Sequence, residues 1–264
     1  RRVLFRSRSR MSAKERIDVL LVNRGLCSTR GKAKAAIMAG LVFADSEKIE
    51  KPGMKVSVTS EVKVKGPEHP YVGRGGLKLE KAIRHFHISM QGRVMLDIGA
   101  STGGFTDCAL QHGAAHVYAL DVGTNQLAWS LRQDARVTVM EKTNFRYVQP
   151  DAFMDPKPDL ATIDVSFISL RKILPSLWPI LDSGNEVVML IKPQFEAGRE
   201  QIGKSGVIRD KEVHREVLQR VLDFTQSFGF ECLDLTVSPI TGGDGNVEFL
   251  SYLKRNTVIP NITE

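Results

Sequence analysis

The chain has 264 residues, 42% hydrophobic and 25% charged, enough for one large domain or a large one beside a small one, and too apolar for an intrinsically disordered chain. Its 37 Lys and Arg against 30 Asp and Glu leave a net charge of +7, which favours polyanionic partners such as nucleic acid or anionic lipid. Three scattered cysteines, Cys27, Cys108 and Cys232, fit neither a disulfide framework nor a zinc site, so a reducing, cytoplasmic setting is expected.

No run reaches the roughly 18 to 20 apolar residues of a membrane span, and the N-terminus has no apolar signal core. His69, His85, His87, His112, His116 and His214 do not cluster as metal ligands, and no metal is expected. Residues 1–65 hold 16 basic against 6 acidic residues, whereas residues 66–264 hold 21 against 24. The positive field therefore belongs to the N-terminal quarter. Part of it is Arg1, Arg2, Arg6, Arg8 and Arg10, a stretch without apolar periodicity that reads as a tag, an upstream-translation remnant or a disordered tail.

In chain order, Glu15 to Leu26 places Ile17, Leu20, Leu21 and Arg24 at helical spacing, stopped by Gly25. Ser28 can cap a second helix, Thr29 to Ala39, which carries Arg30, Lys32 and Lys34 and ends at Gly40. Gly31 weakens its first turn by about 1 kcal/mol relative to Ala. The segments LVFAD, VSV and VKV read as short strands joined by polar turns. The pieces R-I-D-x-x-L, G-L-C-S-T-R and I-M-A-G-L-V resemble an S-four-like RNA-binding module. That resemblance implies RNA phosphate contacts at Arg16, Arg30, Lys32 and Lys34; a merely solvated basic face is the alternative.

Residues 66–76, rich in Gly and Pro, read as a linker between a domain at 11–65 and another at 77–255, with 256–264 a tail. Beyond the linker, apolar runs at Val94–Ile98, His116–Val122, Val137–Met140, Leu160–Val165, Val187–Ile191, Cys232–Val237 and Val247–Leu253 alternate with helical stretches. Such strands predict an α/β fold, a doubly wound Rossmann-like sheet, with the last two strands forming an antiparallel hairpin.

The first of these strands runs into Asp97, Gly99, Ser101, Thr102, Gly103, Gly104 and Phe105, a Gly-rich turn at the mouth where such sheets bind nucleotides. Asp121 follows 24 residues after Asp97, the separation at which a second-strand carboxylate accepts ribose hydroxyls. The dinucleotide fingerprint needs G-x-G-x-x-G for a pyrophosphate. Here the pattern is D-x-G-x-x-x-G-G, and a carboxylate there suits the cationic end of S-adenosylmethionine better. Asp164 and Lys192 end two further strands, Glu248 lies in the last, and Lys78 sits in the helix opened by R-G-G-L-K-L. An ammonium crowded by a second cation in a partly desolvated mouth gives up its proton more readily, which suits Lys192 to take one from a ribose hydroxyl. Lys81, one turn beyond Lys78, competes for the first position.

The pieces Y-V-G-R-G-G-L-K-L, L-D-I-G-A-S-T-G-G-F-T-D, A-L-D-V-G, T-N-F-R, D-V-S-F-I-S-L, L-I-K-P-Q-F-E and G-N-V-E-F together resemble the TlyA family, an S-four-like module fused to an FtsJ-like ribose 2′-O-methyltransferase. The resemblance implies S-adenosylmethionine as cofactor, ribosomal RNA as substrate and a Lys-Asp-Lys-Glu catalytic tetrad at Lys78, Asp164, Lys192 and Glu248. It also implies that Asn144 seats the nucleoside, that Arg74 meets an RNA phosphate or braces the linker, and that Lys204, in a loop with Gly203 and Gly206, serves RNA or is simply exposed. Relatives labelled haemolysins raise a membrane-active alternative, against which the lack of a broad amphipathic helix argues. A non-catalytic RNA-binding assembly factor and a nicotinamide-binding dehydrogenase are further alternatives.

Overall fold

The computed structural model describes residues 13–66 and 69–257, so the arginine-rich start expected as a tail lies outside the described residues. The chain divides between Pro70 and Tyr71 into two compact units.

In the first unit a short strand β1 (Lys14–Arg16) leads into helix α1 (Ile17–Asn23), then α2 (Arg30–Met38), β2 (Val42–Ala44), β3 (Glu47–Lys48), β4 (Lys55–Ser57) and β5 (Val62–Val64). The first helix therefore begins two residues later than its periodicity suggests, because Lys14–Arg16 pairs antiparallel with β4, Glu15 facing Val56. The cap of α2 is also shifted: the Thr29 hydroxyl, not Ser28, accepts the Lys32 N–H at 3.2 Å. Thr29 is the residue with extended backbone three positions before that donor, the geometry a capping side chain needs. The strand order β3-β2-β5 closes over Ile17, Leu20, Leu21, Ala33, Ile37 and Val42, all buried. Strand β3 has two exposed polar residues and so shows no alternation in the sequence.

The second unit begins earlier than the expected linker end. Tyr71 is buried and donates its hydroxyl to Glu80, and the Val72 N–H donates to Asp107 at 2.8 Å. After α3 (Gly75–His85) come β6 (Val94–Ile98), α4 (Gly104–Gln111), β7 (His116–Leu120), α5 (Trp129–Arg132), β8 (Val137–Met140), β9 (Leu160–Ile163), α6 (Leu174–Leu177), β10 (Glu186–Ile191), α7 (Pro193–Glu196), α8 (Lys211–Ser227), β11 (Phe230–Val237) and β12 (Phe249–Arg255). The sheet order is β11-β12-β10-β9-β6-β7-β8. Strands β10, β9, β6, β7 and β8 run parallel, and β12 runs antiparallel to both neighbours.

One face of this sheet packs Met95, Val117 and Leu190 against Leu79 and Ala82 of α3 and Cys108 and Ala109 of α4. The other packs Leu96, Ile163 and Ile191 against Leu174 of α6 and Val217 and Val221 of α8. The chain order reverses between β6 and β9, and ligands bind such sheets in the crevice at that reversal, beyond the carboxyl ends of the strands. Asp121, Asp164 and Lys192 each follow the last residue of their strand. Glu248 precedes β12 rather than lying in it, and because β12 is antiparallel, with Phe249 facing Ile191, its start reaches the same mouth.

Candidate active site

The Gly-rich turn follows β6. At Gly99 φ is +88° and an added Cβ would stand 2.2 Å from the Asp164 carbonyl oxygen, so only glycine lets the ends of β6 and β9 approach this closely. The Ser101 N–H donates to Asp121 Oδ2 at 2.8 Å, and the other carboxylate oxygen accepts from the Gly123 N–H at 2.8 Å. Gly103, at φ +100°, starts α4.

Two cavities share Gly99, Ser101, Asp164, Ser166 and Phe167. One, of about 450 Å³, is also lined by Arg74, Lys78, Thr102, Gly104, Phe105, Lys192 and Glu248. The other, of about 380 Å³, is walled by Leu120, Val122, Phe145 and Ile168 and carries Asp121 and Asn144 at its edge. Asn144 accepts the Arg146 N–H at 3.1 Å, which fixes its turn.

Four charged side chains meet in the first cavity. Lys78 donates to Glu248 Oε2 at 2.6 Å and stands 3.8 Å from Asp164 Oδ2. Lys192 Nζ lies 2.5 Å from Asp164 Oδ1 and donates to Ser166 Oγ at 3.2 Å. Lys78, Lys192 and Glu248 are buried, a placement that is costly for an isolated charge and tolerable for a hydrogen-bonded network. Two ammonium groups and two carboxylates alternate as Lys192, Asp164, Lys78, Glu248, so the cluster carries no net charge. Lys81 is not its rival, since its ammonium reaches the Val237 carbonyl instead.

Asp97, expected against the cofactor, lies behind the Gly-rich turn instead of lining a cavity. Its side chain has no solvent exposure, lines neither cavity, and accepts from the hydroxyls of Thr106 at 2.7 Å and Thr162 at 3.2 Å. It braces the start of α4 from behind the turn. Burial pushes its carboxyl up to about 7, against the two hydroxyl bonds and helped by the nearby Asp164 and Asp121 charges. Gly103 also lines neither cavity and acts through backbone shape.

The structure adds residues that pattern reading passed over. Phe167 is 90% exposed at a φ of +62°, a conformation a bulky side chain rarely adopts. Its ring centroid lies 5.0 Å from that of Phe195, and both rings line the first cavity. Its only sequence signal is an aromatic residue inside D-V-S-F. Gln194 lines the same cavity and donates to Asp244 at 3.4 Å.

In the first unit, Asp18 is fully buried and held by Arg16 at 3.0 Å and Arg30 at 2.9 Å, each about half exposed. Lys32 and Lys34 are exposed on α2. Lys204 is exposed and lines neither cavity, and its loop is pinned nearby where the Asn246 amide donates to the Gly206 carbonyl at 3.0 Å.

The smaller cavity fits a nucleoside: apolar walls for a base, the Asp121 carboxylate at the end of β7 for ribose hydroxyls, and a turn that approaches closely because Gly99 lacks a side chain. Asp121, Asn144 and the Ser101–Thr102 backbone would hold S-adenosylmethionine there, and the cavity of the four charges adjoins it through Gly99, Ser101 and Asp164.

Comparison with known proteins shows the family. The family model described as FtsJ-like methyltransferase matches residues 71–255, and the S4 domain matches residues 15–62. A Bacillus subtilis protein named "Putative rRNA methyltransferase YqxC" is 58% identical over 92% of this chain and 86% of its own length. The 16S/23S rRNA (cytidine-2′-O)-methyltransferase TlyA of Mycobacterium tuberculosis is 42% identical over 94% of this chain and 92% of its own. A solved structure called "Putative hemolysin from Streptococcus thermophilus" has a TM-score of 0.73 and 53% identity, covering 95% of this chain and 91% of that one. Among the described residues no helix is long and apolar enough to cross a membrane. The chain belongs to the FtsJ-like methyltransferases, as a TlyA-family member with an S4 domain ahead of an S-adenosylmethionine-dependent catalytic fold.

Proposed function

We propose that this enzyme methylates a ribose 2′-hydroxyl of ribosomal RNA. The observation that carries the reading is the alternating Lys192, Asp164, Lys78, Glu248 cluster in the cavity beside the Gly-rich turn. When bound, S-adenosylmethionine supplies an electrophilic methyl group on a sulfonium. The chain's own residues do the rest. Once its ammonium has released a proton to solvent, the Lys192 amine accepts the hydroxyl proton as the ribose oxygen becomes nucleophilic, with Asp164 on its other side to orient it. Lys78 and Glu248 hold Asp164 in place, and the cluster is neutral again once Lys192 has taken the proton. The exposed Phe167 ring, braced by Phe195, offers a face on which an extruded base stacks. Holding oxygen and methyl in line supplies most of the rate.

The S4 unit supplies phosphate contacts through Arg16, Arg30, Lys32 and Lys34, with Arg74 at the catalytic mouth and Lys204 as further cations for RNA. This substrate assigns the enzyme to the cytoplasm. The test is transfer of tritium from labelled cofactor to each ribosomal RNA, followed by mapping of the modified ribose. Lys192→Ala is expected to lower kcat by about 10²- to 10⁴-fold, the usual span for a proton-transfer group, while calorimetry shows cofactor affinity within twofold of wild type. Undiminished turnover in that variant removes Lys192 from the reaction. Methyl transfer to a base instead of a ribose overturns the reading.

A further inference from the structure

The turn before β12 borders a second hollow. Asp244 lines the catalytic cavity and also a separate cavity of about 630 Å³. Ile208, Leu218, Val247 and Phe249 give that cavity an apolar lining, with the His214 ring edge-on to Phe249 at 5.7 Å. Arg209, Lys211 and Arg215 line it with positive charge against the single carboxylate of Asp244. Arg215 is paired with Glu212 at 2.9 Å, but Arg209 and Lys211 are exposed and their side chains make no hydrogen bond or ion pair with any described residue.

The wall common to the two cavities is well fixed. Asn246 has no solvent exposure; its side chain accepts the Ile208 N–H at 2.9 Å and donates to the Gly206 carbonyl at 3.0 Å. Asp244 accepts the Asn246 N–H at 2.9 Å from its own turn and the Gln194 amide at 3.4 Å from the catalytic side.

An apolar hollow with an aromatic pair and two unpaired cations, adjoining a site that acts on RNA, matches a flat base joined to a phosphate. We propose that this cavity binds a nucleotide neighbouring the methylated one, its base against His214 and Phe249 and its phosphates on Arg209 and Lys211. The proposal rests on the ribosomal RNA reading and adds to it a subsite that sets the register of the strand.

The test is Arg209→Ala with Lys211→Ala, two side chains without a hydrogen bond or ion pair to another described residue, beside His214→Ala. The double variant is expected to raise the KM for ribosomal RNA about tenfold, with kcat and cofactor affinity unchanged. It should also reduce the slope of log affinity against log salt by about 1.4, at about 0.7 per phosphate contact with a single strand. His214→Ala is expected to raise the same KM without changing that slope, as loss of stacking does. A KM within twofold of wild type in the double variant overturns the subsite, as does an equal loss of cofactor affinity. An unchanged KM in His214→Ala overturns the base assignment. Failure of the wild type to methylate any ribosomal RNA overturns the functional reading itself, and is seen before a variant is compared.

Discussion

Two carboxylates without solvent exposure, Asp18 and Asp97, show how partners rather than burial alone decide a charge. Arg16 and Arg30 hold Asp18 well below the usual carboxylate range, against the effect of its own desolvation. Its contribution is therefore present above the unfolded carboxyl value, about 4, and is lost as pH falls below it. Asp97 has only hydroxyl partners, and burial raises it to about 7. The fold then keeps a proton that the unfolded chain releases, so this group's stabilisation is full below about pH 4 and is lost as pH rises toward 7. Asp97→Asn is expected to flatten that decline in melting temperature between pH 4 and pH 7. An unaltered pH profile in the variant would assign the decline to another group.

At the level of elements, helix α2 shows a local weakness that the fold tolerates. Gly31 lies in its first turn, and a Cβ there would meet nothing nearer than the Thr29 hydroxyl at 3.8 Å. Gly31→Ala is expected to stabilise the S4 unit by about 0.5 to 1 kcal/mol through reduced freedom of the unfolded chain, seen as a higher urea midpoint with an unchanged slope. A lower midpoint would mean that the turn needs glycine for more than flexibility. Strand β12 makes the opposite point, because its reversed direction alone decides that Glu248 emerges at the cavity beside Lys78. A parallel strand in that place would carry its first residue to the far edge of the sheet.

Across the whole molecule, positive charge is concentrated in one unit and the cluster of two lysines and two carboxylates lies in the other. Arg30→Ala with Lys34→Ala is accordingly expected to weaken ribosomal RNA binding and its salt dependence while cofactor affinity stays at the wild-type value; equal loss of both would contradict this division of labour. The sequence by itself determined the alternation of continuous apolar strands with helices, the Gly-rich turn and the small basic module, because hydrophobic period and turn chemistry are carried by neighbours along the chain. Tertiary structure alone decided that Lys78 rather than Lys81 meets Glu248, 170 residues away, that Asp97 turns inward to two threonines, and that Phe167 stands out into solvent. Those outcomes depend on which strand ends and helices the sheet order brings side by side, and no local pattern encodes the distance between residues on different strands.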